Sequence, residues 1–284
     1  MYLFKKVQDL QAFIQHEKGE QRSIGFVPTM GALHQGHLSL IEKCHRMSDV
    51  CVASIFVNPT QFNETTDLLK YPRTPEQDIE LLHSAGCQVL FMPPVEEVYP
   101  MGQKPSISFD FGYLSQPMEG AHRPGHFQGM AQVVNRLLEI VQSDCLFMGQ
   151  KDYQQFAIVK NMLQQLGSSI QLVMCPIIRE EDGLAMSSRN MRLTKSQRLI
   201  APNIFRTLTM ARQTVHSHFP QQIAQEAMKM LSIPGMEAEY FEIVDGVTLR
   251  PVQLFEEVDL AVACTAVRVG EVRLIDNMVL KGEV

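Results

Sequence analysis

The chain has 284 residues, enough for one large domain or two smaller ones at roughly 150 residues per domain. It carries 25 basic and 31 acidic side chains, a formal charge of −6, and no basic cluster of the kind that nucleic-acid-binding surfaces need. Its longest apolar stretch is about one strand long, far below the ~20 residues of a membrane span, and its first residues show no secretory signal pattern. We therefore expect a globular cytoplasmic protein that binds neither nucleic acid nor membrane.

The cysteine pattern supports a reducing compartment. The six cysteines lie far apart, without a C-x-x-C pair, and most fall inside apolar runs. Such positions favour reduced, buried thiols over disulfides or metal ligands. The six positions are Cys44, Cys51, Cys87, Cys145, Cys175 and Cys264.

The first ~175 residues alternate short β-rich runs with segments of helical periodicity. This alternation predicts βαβ units, and therefore an α/β fold with a doubly wound parallel sheet. Sheets of this kind bind ligands at the carboxyl ends of their strands. The predicted strands are Ile24–Val27, Val50–Val57, Gln88–Met92, Cys145–Met148 and Gln171–Cys175.

The pattern changes after Pro176. A long helical stretch is predicted from about Lys195 to His218, and a second around Ile223–Leu231. Three strand-like runs follow, separated by turns, which indicates a smaller α+β domain with an antiparallel sheet. These runs are Glu239–Asp245, Leu260–Val269 and Val272–Leu280.

The first predicted strand runs into a loop with two histidines, His34 and His37, directly before a helix. Gly31 and Gly36 let the backbone approach a ligand closely, and the amino end of a helix offers N–H groups to an anion. Both histidines can therefore point at one phosphate. Taken alone, an H-x-x-H pair is more often a pair of solvated loop histidines, but the preceding strand and the two glycines favour a functional site.

Zinc is the alternative ligand for the same two histidines. A zinc site needs further protein ligands. His122 and His126 supply them only if the fold brings them to the loop.

Polar residues also follow two other predicted strands. Asn58–Pro59 forces a turn that presents Gln61, whose neutral amide can hold a hydroxyl or a carboxylate. Gly149–Asp152 follows the fourth strand, where Lys151 provides a point charge for phosphate. Gln155 lies one helical turn further on.

A fourth polar segment, Met186–Arg189, has the sequence MSSR. Two hydroxyls and a guanidinium suit the oxygens of a triphosphate. By itself, this four-residue segment is only a weak indication of a nucleotide site.

The pair HQGH and MSSR resembles the HIGH and KMSKS motifs of the nucleotidyltransferase superfamily. Six wider strings are similar to those of one family within it, the pantoate–β-alanine ligases (pantothenate synthetases). The strings, in chain order, are VPTMGALHQGH, SIFVNPTQF, YPRT, RPGHFQG, GQKDYQQ and DGLAMSSRN. The ending VRLIDN fits as well, so the resemblance covers nearly the whole chain.

The resemblance implies a two-step, ATP-dependent ligase that makes pantothenate through a pantoyl adenylate and releases AMP and pyrophosphate. It implies catalytic roles for His34, His37 (as proton donor), Lys151, Ser187, Ser188 and Arg189. It implies pantoate binding by Gln61 and Gln155, with Gln61 also next to β-alanine. The implied ATP-binding residues are Met30, Gly31, Ala32, Leu33, His34, Gln35, Gly36, His37, Gly149, Gln150, Lys151, Asp152, Ile178, Met186, Ser187, Ser188 and Arg189.

The resemblance also implies Mg²⁺ as cofactor, with Asp78 at an acidic position near the metal. Gln77 departs from family members that have a second acidic residue there. It further implies a homodimer. The domains expected are a Rossmann-like domain over 1–176 and a smaller domain over 177–284, whose MSSR loop closes over ATP. Small-angle scattering that is identical with and without ATP would count against this closure.

Three other classes of protein remain open at the level of sequence. Adenylyl- and cytidylyltransferases share the H-x-G-H loop, but the pair Gln61 and Gln155 and the sizeable second domain argue against them. An aminoacyl-tRNA synthetase is disfavoured by the acidic balance. A non-catalytic nucleotide-binding regulator would bind ATP without releasing pyrophosphate.

Overall fold

The computed structural model describes residues 1–61, 68–69, 71–100 and 107–283. The chain forms two compact units. The first comprises Met1–Phe111, Arg123–Gly149 and Ile158–Cys175, and the second comprises Gly112–His122, Gln150–Ala157 and Pro176–Val284. Within the described part of the chain, no helix combines the length and apolar character that crossing a bilayer requires.

A six-stranded, wholly parallel sheet forms the centre of the first unit, in the order β1-β4-β3-β2-β5-β6. The predicted α/β class and all five predicted strands are confirmed. The sequence analysis missed β1, which is three residues long and mostly exposed at the sheet edge. The strands are β1 (Tyr2–Phe4), β2 (Ile24–Thr29), β3 (Val50–Ile55), β4 (Val89–Phe91), β5 (Cys145–Gly149) and β6 (Gln171–Cys175).

The described residues also form helices, which are numbered in chain order. They are α1 (Val7–Gly19), α2 (Gln35–Met47), α3 (Pro75–Ser84), α4 (Val95–Val98), α5 (Glu119–His122), α6 (His126–Val141), α7 (Tyr153–Gln165), α8 (Lys195–Ile200), α9 (Asn203–Thr214) and α10 (Pro220–Leu231). Of these, α6 is the most deeply buried, with eleven buried residues, most of them apolar. All six cysteines are buried free thiols, as predicted.

The second unit contains a three-stranded antiparallel sheet, with β8 between β7 and β9. This confirms the predicted α+β architecture. The strands are β7 (Met236–Asp245), β8 (Ala261–Val269) and β9 (Val272–Lys281). The β8–β9 turn uses Gly270 at φ +58°, a left-handed conformation that favours glycine.

The single long helix predicted from Lys195 to His218 is wrong. The structure has two helices, α8 and α9, separated at Ala201 and Pro202. Proline lacks the N–H that would continue the first helix, and its ring clashes with the preceding turn. The second helix therefore starts afresh at Asn203.

The segment Gly112–His122 is joined to the rest of the second unit by buried charge. Arg273 on β9 donates two hydrogen bonds of 2.7 Å to the carboxylate of Glu119, and it also pairs with Glu239 at 2.8 Å. The Tyr240 hydroxyl donates to Glu119 at 2.9 Å. Burial raises the pKa of Tyr240, so this hydroxyl stays protonated and remains a donor.

Candidate active site

The carboxyl edge of the parallel sheet places the histidine loop at its topological switch point. Strands β3, β4 and β1 extend from one side of β2, and β5 and β6 extend from the other. Open α/β sheets bind ligands where the strand order reverses in this way. The loop after Thr29 and the residue Gly149 at the end of β5 lie at that edge.

The two histidines form a reciprocal cap at the start of α2. His34 Nδ1 accepts a hydrogen bond from the backbone N–H of Gly36 at 3.1 Å, and His37 Nδ1 accepts one from the backbone N–H of His34 at 3.3 Å. The ring centroids are 4.0 Å apart. The sequence analysis did not anticipate this cap, because His is not one of the usual N-cap residues.

The cap fixes the tautomer of both rings. A backbone N–H can only donate, so Nδ1 is the acceptor in each imidazole, and a neutral ring then carries its proton on Nε2. Each ring therefore has an N–H donor at Nε2. The same region has the amino end of α2, where the helix dipole favours negative charge.

Asp78, on the first turn of α3, holds the loop before the histidines. Its side chain is 1% exposed. One carboxylate oxygen accepts from the backbone N–H of Ala32 at 2.9 Å; the other accepts from that of Leu33 at 2.8 Å and from the Thr74 hydroxyl at 3.1 Å. Gly31, at φ +81°, packs so closely that an added Cβ would lie 3.0 Å from this carboxylate.

The turn after β3 is present where the sequence predicts it, as a 3₁₀ turn over Pro59–Gln61. The side chain of Gln61 lies outside the described residues. Asn58, which is 1% exposed, accepts hydrogen bonds from the Tyr99 hydroxyl at 3.1 Å and from the Thr60 hydroxyl at 3.1 Å. Asn58 therefore fixes the turn that carries Gln61, a role the sequence analysis missed.

In the second unit, Gln150–Asp152 form a 3₁₀ turn directly before α7. The side chain of Lys151 is half-buried and that of Asp152 is exposed. Gln155 is half-buried, whereas its neighbour Gln154 is buried and accepts a hydrogen bond from the backbone N–H of Glu119 at 3.0 Å.

The MSSR segment follows a short hairpin in the second unit, and the hairpin brings it to Ile178. Arg179 and Ala185 form an antiparallel bridge, and the backbone N–H of Met186 donates to the Ile178 carbonyl at 3.0 Å. These predicted ATP-binding residues, eight positions apart in sequence, are therefore adjacent. The sequence analysis did not predict this hairpin, although the Asp182–Gly183 pair is a turn signal that could have revealed it.

The residues after Met186 form a tight 3₁₀ turn. The Ser187 hydroxyl accepts from the backbone N–H of Arg189 at 3.3 Å, and Ser188 is buried. Asn190 donates to the Ala185 carbonyl at 3.1 Å and so connects the turn to the hairpin. The turn is thus preorganised by hydrogen bonds within the segment.

The fold and these polar segments together define a class of protein. A parallel sheet with a histidine-capped helix at its switch point, together with a separate Ser-Ser-Arg turn, is the arrangement of the HIGH/KMSKS nucleotidyltransferase superfamily. The first unit carries the imidazole N–H donors of His34 and His37, and the second carries the hydroxyls and cationic side chains of Lys151 and the MSSR turn.

Comparison with known proteins narrows this class to one family. The family model described as pantoate-beta-alanine ligase matches residues 2–279. Pantothenate synthetase of Porphyromonas gingivalis is 50% identical over 279 residues, which is 98% of this chain and 99% of the relative. That of Bacteroides thetaiotaomicron is 46% identical over 284 residues, and each chain is covered to 99%.

Two solved structures support the same family assignment. Pantothenate synthetase from Thermus thermophilus matches with a TM-score of 0.93 and 41% identity, covering 99% of this chain and 100% of that one. Pantoate–β-alanine ligase from Francisella tularensis, complexed with beta-gamma ATP and β-alanine, matches with a TM-score of 0.81 and 34% identity, covering 99% and 98%. This chain belongs to the pantoate–β-alanine ligase family. It is a ligase that condenses pantoate with β-alanine at the expense of ATP.

Proposed function

We propose that His34 and His37 act on the phosphates of ATP while the carboxylate of pantoate attacks the α-phosphorus. This step forms the P–O bond of pantoyl adenylate and expels pyrophosphate. Two anions meet in it, so negative charge builds up on the phosphoryl oxygens. Donors that are already oriented toward such charge are usually the largest single catalytic contribution.

The reciprocal histidine cap is the observation that carries this proposal. Because Nδ1 of each ring accepts from the backbone, the Nε2–H of each ring is a fixed donor. Such a donor needs no reorganisation when charge develops. His37, on the first turn of α2, is the residue to which we assign proton donation.

The second step requires the amine of β-alanine to attack the activated carbonyl carbon. The C–N bond of the amide forms, the C–O bond to AMP breaks, and the amine loses a proton. AMP leaves with the oxygen that came from pantoate. We assign β-alanine to the neighbourhood of Gln61, and pantoate to Gln61 and Gln155.

Pantoate and ATP are held by different kinds of side chain. The neutral amides of Gln61 and Gln155 hold pantoate without an ion pair, while cationic and hydroxyl side chains hold the nucleotide. Catalytic roles fall to Lys151, Ser187, Ser188 and Arg189 in addition to the two histidines. The proposed nucleotide segments are Met30–His37, Gly149–Asp152, Ile178 and Met186–Arg189.

Magnesium is the proposed cofactor, and the donor set favours an ion that arrives with ATP. Within the described residues, no group of three His, Cys, Asp or Glu side chains could hold a metal. Asp78 already accepts from two backbone N–H groups and one hydroxyl, and Gln77 is not acidic. Protein-bound Mg²⁺ commonly uses one or two carboxylates plus substrate phosphates, and when bound it neutralises phosphate charge. Asp78 is the only ligand we propose.

The remaining proposals concern the state of the protein in the cell. Six buried free thiols fit a reducing compartment, so we propose a cytoplasmic location. We also propose a homodimer, on family grounds alone. A light-scattering mass equal to one chain would contradict the dimer.

Pantoate-dependent exchange of pyrophosphate with ATP tests the proposed first step. We expect exchange with pantoate in the absence of any amine, and little exchange with other small hydroxy acids. Addition of β-alanine should then release AMP in a 1:1 ratio to pantothenate. Exchange that needs β-alanine, or a nucleotide product other than AMP, would contradict the adenylate route.

A further inference from the structure

Strand β9 carries two adjacent polar residues that the sequence analysis left without a role. Asp276 is 3% exposed and Asn277 is 2% exposed. Neighbouring positions on a strand project to opposite faces, so the two side chains reach different segments. Buried polar groups are normally retained only where they are hydrogen-bonded, and both residues satisfy this condition.

Asn277 holds the backbone of the turn that contains Lys151. Its Nδ2 donates to the carbonyl of Gln150 and to that of Lys151, each at 2.9 Å. Its Oδ1 accepts from the side-chain Nε2 of Gln150 at 3.2 Å. The side-chain amide of Asn277 therefore uses both of its protons and its oxygen in hydrogen bonds to two consecutive residues, Gln150 and Lys151.

Asp276 holds the hairpin that carries the MSSR turn. Arg179, at the base of that hairpin, donates two hydrogen bonds to the Asp276 carboxylate, at 2.6 Å and 3.0 Å. The guanidinium also donates to the Gly183 carbonyl at 3.0 Å and lies over the ring of Phe205, with 4.5 Å between the guanidinium carbon and the ring centroid. The Asp276 carboxylate in turn accepts from the backbone N–H of Asn277 at 2.8 Å.

The electrostatic environment of Asp276 also connects this residue to Arg179 and to Lys151. Burial raises the pKa of Asp276, and the hydrogen bonds and charge of Arg179 oppose that rise. The positive charge of Lys151 lowers the pKa as well, so Lys151 lies within electrostatic range of this carboxylate.

We infer that Asp276 and Asn277 are positioning residues for ATP, which fix the Gln150–Asp152 turn and the Ile178–Arg189 hairpin relative to each other. The inference rests on the proposed function, because it takes both segments as nucleotide-binding. Neither residue is proposed to touch the nucleotide. Each acts through the backbone or the arginine that it holds.

The variant Asn277→Asp tests this inference. It keeps the size of the side chain but places carboxylate oxygens against two carbonyl oxygens. We expect the KM for ATP to rise about tenfold or more, since two hydrogen bonds to the turn are lost. The KM for β-alanine, which we assign to Gln61 on the other unit, should stay within about twofold, as no contact of that site changes.

A purely structural role predicts a different result. A destabilised enzyme has fewer folded molecules, which lowers the apparent kcat but leaves each KM unchanged. The matched control is Thr265→Val, because Thr265 lies opposite Asp276 on β8, is fully buried and donates only to the Tyr240 carbonyl, at 2.7 Å. This control should lower the melting temperature and leave the KM for ATP at the wild-type value.

The milder variant Asn277→Ser keeps one donor and covers the case in which Asn277→Asp does not fold. We expect about a threefold rise in its KM for ATP, because the shorter serine side chain can donate to at most one of the two carbonyls but adds no negative charge beside them. An ATP KM equal to that of Thr265→Val, in either variant, would overturn the inference. Wild-type enzyme without pantoate-dependent exchange would overturn the proposed function instead, so the two failures are distinguishable.

Discussion

Replacing His37 by alanine is expected to slow pantoate-dependent ATP–pyrophosphate exchange by about 10²–10³-fold, the loss typical of one charge-stabilising donor. The substitution removes the Nε2–H donor that the capped tautomer fixes, and it also removes the acceptor for the backbone N–H of His34. Exchange rates at saturating ATP and pantoate measure the effect. A rate within about threefold of wild type would contradict the assigned role, since threefold corresponds to less than 1 kcal/mol.

Two further substitutions separate the chemistry of His37 from its capping role. His37→Asn keeps a short side-chain acceptor for the cap but cannot reach the position of Nε2, so it should be as slow as the alanine variant while melting near the wild type. His45→Ala is the matched control on the same helix, because His45 is exposed near the end of α2. It should leave exchange unchanged.

Replacing Asp78 by asparagine is expected to lower the free energy of unfolding by about 2–3 kcal/mol, because a charged acceptor of buried backbone N–H groups is lost. One amide N–H₂ would face the N–H of Ala32 or Leu33. The displaced histidine loop should reduce exchange about 10²-fold, the scale of a 1 Å misplacement in an active site. Chemical denaturation and the exchange assay measure the two effects.

The same variant distinguishes loop anchoring from magnesium binding. If Asp78 acts mainly by holding the loop, excess Mg²⁺ will not restore exchange in Asp78→Asn. Restoration at high Mg²⁺ would show that the carboxylate acts as a metal ligand. Glu80→Gln is the control, because Glu80 lies exposed on the same helix beyond its first turn and should change neither stability nor exchange.

The architecture could be predicted from the sequence, because most strands of the central sheet are short apolar runs bounded by turns. The predicted β3 and β5 are present with small changes at their ends. β1 was missed because three partly exposed residues followed by two lysines give no alternation. The helix break at Pro202 was missed because apolar periodicity continues on both sides of it.

The candidate site was less predictable where it depends on contacts distant in sequence. Local patterns identified the histidine loop and the MSSR segment, but the hairpin before MSSR was not predicted. No local pattern reveals that Asp78 binds backbone N–H groups more than 40 positions earlier, at Ala32 and Leu33. The same holds for Asn277, whose partners are at Gln150 and Lys151.

Family membership over residues 2–279 decides between the classes that the sequence alone left open. The alternatives were nucleotidyl transfer to a phosphate, aminoacyl-tRNA synthesis and non-catalytic nucleotide binding. None of them is the activity of this family. The roles of individual residues toward ATP, pantoate and β-alanine are proposals, and the substitutions above test those of His37 and Asp78.

Isotope transfer from pantoate to AMP is the decisive test of the adenylate intermediate. Pantoate labelled with ¹⁸O in its carboxylate is incubated with ATP, β-alanine and the enzyme, and the AMP is analysed by mass spectrometry. Attack of the carboxylate on the α-phosphorus predicts one ¹⁸O atom in AMP and none in pyrophosphate. Unlabelled AMP, or label in pyrophosphate, would contradict an adenylate intermediate.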